Sequence, residues 1–173
     1  MMEHAPETYR TLRKTSDSAL FKDKKSKFIS CAFPITSEQQ VKPILEKLRQ
    51  KYPSASHFCY AWQLGIIEPS YRVNDDGEPK NTAGMPIFGQ IQSFELTNVL
   101  VVVLRIFGGT KLGAGGLINA YRTAARMALE GSSIIERTLQ QEFTLSFPYS
   151  EMDRVMRMIR KMHLSVLQQE IGL

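Results

Sequence analysis

The predicted fold is built around TNVLVVVLRIFGGTKLGAGG, residues 97–116. The apolar run at 99–104 is unbroken, which is typical of a strand buried on both faces. We therefore predict a central sheet strand over residues 97–107. The glycines at 108–116 predict a turn, and apolar residues at helical spacing predict a helix over 117–130.

Outward from this stretch, the sequence predicts an α+β protein. Alternating apolar residues indicate strands, and apolar residues three or four apart indicate helices. The predicted elements on the N-terminal side are strands at 27–35 and 57–67, a helix at 41–52 after a capping-box pattern, and a helix that begins near Pro86. We expect residues 1–17 to be frayed or loosely docked.

The C-terminal residues predict a smaller unit. Strands are expected at 143–147 and 164–171, with an amphipathic helix at 150–162 between them. This is a single βαβ unit, and its apolar faces need another surface to pack on.

Composition indicates a soluble protein. The 173 residues are 43% hydrophobic and 23% charged, which is ordinary for a globular domain with a core. Every apolar run is far shorter than the ~20 residues of a membrane span, and residues 1–10 lack the apolar segment of a signal peptide. The two cysteines form no disulfide framework. We therefore expect a cytoplasmic protein with reduced thiols and no membrane partner.

Basic residues are concentrated in the first third of the chain. Residues 1–51 hold 11 Lys or Arg against 6 Asp or Glu, so they carry the whole net charge of +5. The densest group, here called the basic patch, consists of Lys22, Lys24, Lys25 and Lys27. Such a patch suits an acidic partner such as RNA. The alternative is that lysines on an edge strand prevent edge-to-edge pairing.

The glycine-rich segment, residues 108–116, follows a predicted buried strand and precedes a predicted helix. Backbone amides that glycines expose at a helix N-terminus can bind phosphate or carboxylate. The segment matches neither the P-loop pattern nor G-x-G-x-x-G. The alternative is that its glycines only permit a tight turn and close packing.

An acidic loop lies at residues 75–78, Asp-Asp-Gly-Glu. Its three carboxylates could hold a divalent cation or take part in acid–base chemistry. Asp and Gly are also typical turn residues, whose side chains bond to nearby backbone, and we favour this interpretation. Arg105 ends the apolar strand and is expected to pair with one of these carboxylates.

His57 and Cys59 share one face of a predicted strand. A metal site would need further ligands, and a nucleophilic pair would need a third, orienting group. A packed cysteine and a hydrogen-bonded histidine are therefore the favoured interpretation. The residues by themselves indicate no complete catalytic set, no metal site and no cofactor.

Two longer segments resemble the signatures of the YigZ/IMPACT family. Residues 75–86, DDGEPKNTAGMP, are similar to its D-D-G-E-P-x-G-T-A-G-x-P signature, with Asn81 in place of the usual glycine. Residues 105–121, RIFGGTKLGAGGLINAY, are similar to its second signature, and residues 25–28, KSKF, also match the usual pattern of the family. The candidate ligand- or partner-binding residues are Asp75, Asp76, Gly77, Glu78, Thr82, Arg105, Gly108, Gly109, Lys111, Gly113, Gly115, Gly116 and Tyr121.

The resemblance also implies a fold. It implies a two-layer α+β sandwich over residues 18–132, with a four-stranded sheet and two helices on one face. This arrangement is similar to domain IV of elongation factor G and to the second domain of the fifth small-subunit ribosomal protein. Residues 136–173 would be half of a ferredoxin-like domain, whose exposed strand edge could support self-association.

Two functions follow from these observations. Eukaryotic family members look like regulators of translation, which implies a non-catalytic protein that binds RNA, the ribosome or a translation-control protein. The alternative is an enzyme that holds a phosphorylated or carboxylated small molecule at the glycine-rich segment, with a cation at the acidic loop. We favour the first function because no nucleophile or base can be named.

Overall fold

The computed structural model describes residues 8–172, which divide into two units, 8–139 and 140–172. Each unit is described separately. The elements of the first unit are β1 (Thr8–Leu12), β2 (Ala19–Asp23), β3 (Ser26–Pro34), α1 (Val41–Lys51), β4 (His57–Leu64), β5 (Ser70–Asn74), α2 (Gly84–Ser93), β6 (Val99–Ile106), α3 (Gly113–Glu130) and β7 (Ile134–Thr138). The second unit contains α4 (Met152–Lys161).

The first unit is built on an antiparallel sheet of five strands in the order β2-β3-β6-β4-β5. β6 lies in the middle of the sheet, and residues 99–104 are all buried, as the apolar run predicts. The sheet has one strand more than the four that the resemblance implies. β5 was not predicted. It is an edge strand that pairs only with β4. Its residues Ser70, Tyr71 and Arg72 are exposed, so the segment has no buried apolar run that would mark it as a strand.

Helices cover both faces of this sheet. The odd-numbered valines of β6 pack in one core with residues of α2 and α3. Its even-numbered apolar residues pack in a second core with Val41 and Leu48 of α1. Successive side chains of a strand point to opposite faces, so two cores require an unbroken apolar run. The α+β class is confirmed, and α1 adds a layer opposite the two helices that the resemblance implies.

The part of the chain start that the structure describes, from Thr8, is not loosely docked. β1 pairs with β7 over five residue pairs, from Thr8 with Thr138 to Leu12 with Ile134. Leu12 is 2% exposed and belongs to the core beneath α2 and α3. Both strands lie outside the expected domain bounds of 18–132. They were not predicted because their pairing joins distant parts of the chain, which no local sequence pattern connects. Residues 1–7 lie outside the described residues.

In the second unit, only the predicted helix is confirmed, at Met152–Lys161. Residues 143–147 and 164–171 are not strands. A strand needs a hydrogen-bonded neighbour, and these two segments do not pair with each other or with a third strand within residues 140–172. The strands of the predicted βαβ unit are therefore not observed within residues 140–172, and self-association stays a prediction. Apolar side chains such as Leu145 and Met162 remain 62% and 60% exposed.

No helix within residues 8–172 combines the length and the apolar character that crossing a membrane requires.

The docking of β1 can be tested with a pair of leucine substitutions. Leu12→Ala is expected to lower the free energy of unfolding by about 2–5 kcal/mol, because it opens a cavity in the core. The matched control, Leu20→Ala, removes a side chain of a residue that is 46% exposed and should cost less than about 1 kcal/mol. Urea unfolding measures both values. Equal losses would contradict the docked position of β1.

Candidate functional site

Three loops meet at one end of the five-stranded sheet. The strand registers place Arg105 of β6 opposite Phe28 of β3 and opposite His57 of β4. The ends of β2 and β5 lie at the same end of the sheet. The β2–β3 turn, the acidic loop and the glycine-rich segment therefore lie together, and we call this region the loop end.

Glu78 is at the centre of the hydrogen bonds of the loop end. Its Oε1 accepts one from Arg105 Nη1 at 2.9 Å and one from the Tyr121 hydroxyl at 2.8 Å. The side chains of Glu78 and Arg105 are 4% and 6% exposed, so their ion pair is buried. The predicted pairing of Arg105 with the acidic loop is confirmed. These bonds join the loop to β6 and to α3.

The Arg105 guanidinium is held on several sides. Its Nη2 donates to Ser26 Oγ at 3.3 Å, and the Gly108 amide donates to the same oxygen at 3.3 Å. The guanidinium carbon lies 5.6 Å from the Phe28 ring centre and 5.3 Å from the Phe107 ring centre, which is within cation–π range. One side chain thus fixes the positions of β3, β6 and the glycine-rich segment.

Asp75 stabilises the start of α2. Its carboxylate oxygens accept hydrogen bonds from the amides of Asn81 at 2.8 Å, Ala83 at 3.0 Å and Gly84 at 2.8 Å. These amides have no helical partner, so a carboxylate there caps the helix. Asn81 has a φ of 64°, a left-handed conformation that asparagine tolerates. The turn is therefore kept despite the departure from the family signature.

Asp76 also bonds to groups of the protein. Its Oδ2 accepts from the Phe58 amide at 2.6 Å and from Arg49 at 3.1 Å. Its own amide donates to Asn74 Oδ1 at 2.7 Å, which forms an Asx turn. Both aspartates thus behave as the turn interpretation predicts. Among residues 8–172, no cluster of three or more His, Cys, Asp or Glu side chains is arranged to hold a metal ion.

His57 and Cys59 are packed and hydrogen-bonded, as predicted. The Asp76 carbonyl lies 2.8 Å from His57 Nδ1, so this nitrogen donates and Nε2, 4.0 Å from Glu78, is unprotonated in the neutral ring. Cys59 Sγ donates to the Asp75 carbonyl at 3.0 Å. Burial, opposed by the hydrogen bond to Tyr121, raises the pKa of the Cys59 thiol far above 9.0. A thiol that stays protonated is a poor nucleophile.

The glycines of the glycine-rich segment have different structural roles. α3 begins at Gly113 rather than near residue 117, so the last four residues of this segment form its first turn. A Cβ at Gly108 would lie 2.1 Å from the Lys25 carbonyl carbon, so close packing requires this glycine. Gly109 and Gly113 have φ values of +88° and +75°. Gly115 has neither constraint, since no described atom lies within 4 Å of its Cβ position.

The basic patch occupies a strained hairpin. Lys24 and Lys25 form the β2–β3 turn with φ values of 41° and 66°, a conformation usually taken by Asn or Gly. Lys22 and Lys27 lie directly opposite each other on the two strands, a like-charge arrangement that is unfavourable. All four lysines are exposed, and none forms a salt bridge within residues 8–172.

The structure thus places the acidic loop, the glycine-rich segment, Tyr121 and the basic patch at one location. Thr82 supports the loop by donating to the Pro79 carbonyl at 2.6 Å. Three residues that contact Arg105 were not among the predicted site residues. They are Ser26, Phe28 and Phe107. Their only signal was the match of residues 25–28 and 105–121 to the family signatures, because contacts across strands require the register.

Comparisons with known proteins agree on one family. Residues 24–129 match the family model described as the Impact N-terminal domain. IMPACT family member YvyE of Bacillus subtilis is 31% identical, over 89% of this chain and 70% of its own length. An IMPACT family member of Thermus thermophilus is 39% identical, over 81% of this chain and 75% of its length. YigZ of Escherichia coli is 34% identical, over 75% of this chain and 64% of its length.

Solved structures resemble the chain as well. A crystal structure described as that of a hypothetical protein matches with a TM-score of 0.78 and 27% identity, over 96% of this chain and 82% of that chain. The structure of the two-domain translational regulator Yih1 matches 69% of this chain and 46% of its own length, at 27% identity and a TM-score of 0.42. The second score is too low to support an argument about the fold.

The buried ion pair can be tested by a double-mutant cycle. Glu78→Gln and Arg105→Met should each lower the free energy of unfolding by about 3–5 kcal/mol, because each leaves a buried partner unpaired. The double variant should lose less than the sum of the two. The control Glu130→Gln removes half of an exposed ion pair with Arg126 and should cost less than about 1 kcal/mol. Additive losses in the cycle would contradict the pairing.

The Cys59 thiol predicts a dependence of stability on alkaline pH. The unfolded chain releases this proton near the ordinary pKa of 9.0, whereas the folded protein retains it because burial raises the pKa. Stability should therefore fall above this value, by up to about 1.4 kcal/mol for each pH unit. In Cys59→Ala the fall between neutral and alkaline pH should be smaller, as measured by urea unfolding. The same pH dependence in both proteins would contradict a protonated, buried thiol.

Proposed function

The chain belongs to the IMPACT family, and from this premise we propose that it is a non-catalytic, translation-associated regulator that binds RNA through its loop end. The observation that carries the proposal is the contact between the basic hairpin and the glycine-rich segment. Gly108 packs directly on the backbone of Lys25 and Ser26. This contact places two features that each suit phosphate, exposed lysines and open glycine amides, next to one another.

The translation part of the proposal comes from the family. Yih1, a solved relative, is described as a two-domain translational regulator. A Xenopus laevis protein named Protein IMPACT is 32% identical over 69% of this chain, which spans 40% of its length. The eukaryotic members therefore carry further sequence, and the partner of this chain is inferred from its own surface. Translation takes place in the cytoplasm, so the proposal keeps the predicted cytoplasmic location.

The charges of the loop end support a polyanionic partner. The carboxylate of Glu78 is buried against Arg105 and Tyr121. The two partly exposed aspartates accept hydrogen bonds from backbone amides and Arg49, so part of their charge is compensated within the protein. Lys24, Lys25 and Lys111, in contrast, are exposed. A surface whose carboxylates bond to protein groups and whose lysines are exposed attracts phosphates over a distance of about one Debye length, ~8 Å at physiological salt.

The first turn of α3 adds amide donors to this surface. Gly113 and Gly115 are exposed, and a Cβ at either position would meet no described atom within 4 Å. A phosphate can therefore approach the backbone amides of this turn, where the helix dipole also favours negative charge. α3 is 18 residues long, so this dipole is fully developed.

Edge protection is the competing explanation for the lysines. β2 is an edge strand, and edge lysines prevent pairing with another chain. That role does not require Lys24 and Lys25, because they lie in the turn rather than on the edge strand. Both take a left-handed backbone conformation, which costs about 1 kcal/mol or more for each non-glycine residue. Residues kept at such a cost favour a function at the turn itself.

The proposal predicts binding that depends on the hairpin lysines. The double variant Lys24→Glu with Lys25→Glu should weaken binding to ribosomal RNA by about tenfold or more. It should also lower the slope of log K against log salt, by about 0.7 for each single-strand phosphate that the lysines no longer neutralise. The control, Lys42→Glu with Lys47→Glu, makes the same charge change at exposed positions of α1 and should have little effect. Co-sedimentation with ribosomal subunits and fluorescence anisotropy measure both.

Three outcomes would count against this function. Equal binding of RNA by the two double variants would show that the loop end is not the binding site. RNA binding that occurs only at low salt would indicate non-specific attraction to a basic protein. Absence of RNA binding, together with a rise in melting temperature on adding a nucleotide with magnesium, would favour the enzyme alternative, because a ligand stabilises the folded state that binds it.

A further inference from the structure

We infer that Phe107 is a stacking platform for an unpaired base, so the RNA bound at the loop end is single-stranded where it makes contact. This inference rests on the proposed RNA-binding function and adds the class of RNA. It depends on three observations about one residue, namely its exposed side chain, the buried arginine that supports its ring and its position next to Gly108, which packs on Lys25.

Phe107 is 49% exposed, directly after β6 and directly before Gly108. A single exposed apolar residue is common on protein surfaces and needs no explanation by itself. Phe107 differs from the exposed Leu20 and Ile67 because its ring has a fixed charged partner. The guanidinium carbon of Arg105 lies 5.3 Å from its ring centre.

The support of the ring is itself buried and rigid. Arg105 is 5% exposed and is held by Glu78 at 2.9 Å and by Ser26 at 3.3 Å. Its Nε has no hydrogen-bond partner among the described residues. The guanidinium carbon lies within cation–π range of two aromatic rings, those of Phe28 and Phe107, and its two Nη atoms bond to Glu78 and Ser26. A ring fixed in this way loses little conformational entropy when a base stacks on it.

Phe107 is also adjacent in the chain to the groups that would hold the phosphates. The residue after it, Gly108, packs on the backbone of Lys25, and Lys111 follows in the same segment, exposed. A charged groove that tracks the backbone, combined with an aromatic ring on which a base stacks, is the general arrangement of proteins that bind single strands.

This arrangement discriminates between classes of partner. In an RNA duplex the bases are stacked on each other, so their faces are closed to a side chain, and duplexes are recognised by shape and by 2′-hydroxyl and phosphate contacts. A phenyl ring offers no hydrogen bond, so it accepts the face of any base. An acidic protein segment would use the lysines but would have no need of the flat ring.

The experiment compares substitutions at Phe107 with a short single-stranded oligouridine and with an RNA duplex of equal length, both labelled for anisotropy. Phe107→Ala and Phe107→Leu should each weaken binding of the single strand by about tenfold and leave duplex binding nearly unchanged. Phe107→Leu keeps an apolar contact for Arg105 and so separates stacking from packing. Phe107→Tyr, which keeps the ring, should retain binding.

Two controls make the result specific. Tyr71→Ala removes another exposed aromatic side chain, 55% exposed and on β5, and should not weaken binding. The salt slope should stay unchanged in Phe107→Leu and should fall in the Lys24→Glu, Lys25→Glu double variant, because the phenyl ring carries no charge to neutralise a phosphate, whereas the lysines do. Melting temperatures of all variants exclude unfolding as the cause of weaker binding.

The outcomes separate this inference from the function on which it rests. Wild-type affinity in Phe107→Leu, or tighter binding of the duplex than of the single strand, would overturn the stacking role. Loss of binding in the lysine variant alone would overturn it while the RNA-binding function stands. If no RNA binds and an acidic polypeptide such as polyglutamate does, both proposals fail and the loop end is a protein-binding surface.

Discussion

The loop end depends on the buried ion pair between Glu78 and Arg105. Removing two charges from water costs several kcal/mol for each ion, which only close pairing and further hydrogen bonds offset. Here Glu78 also accepts from Tyr121, and Arg105 also donates to Ser26. Four elements of the chain, β3, the acidic loop, β6 and α3, must therefore take one relative position for these bonds to form together.

This constraint determines which charges reach the surface. Glu78 is paired with Arg105 and buried, and the two aspartates bond to backbone amides and Arg49, so the charges of the acidic loop are engaged within the protein. The lysines of the hairpin turn are exposed and form no salt bridge with any residue that the structure describes. The same arginine supports the exposed ring of Phe107. One interaction thus stabilises the fold and prepares a surface with positive charge and a flat apolar face.

Local patterns predicted those elements that local forces stabilise. β6 and α3 were predicted because an apolar run and a helical stripe are visible in one window of sequence, and α4 for the same reason. β1 and β7 were missed because each is stabilised by the other across the length of the first unit. The strands predicted at 143–147 and 164–171 have the right alternation but have no neighbour to bond with among residues 140–172.

The sequence by itself determined the central strand, the α+β class, the family, the turn chemistry of Asp75 and Asp76 and the pairing of Arg105 with the acidic loop. These follow from side-chain type and spacing, which act over a few residues or are carried by the signatures. Only the tertiary structure decided which carboxylate pairs with Arg105, that Gly108 lies against Lys25, and that Phe107 has a buried support. Those contacts depend on strand register and on the approach of loops distant in sequence, and no local pattern encodes either one.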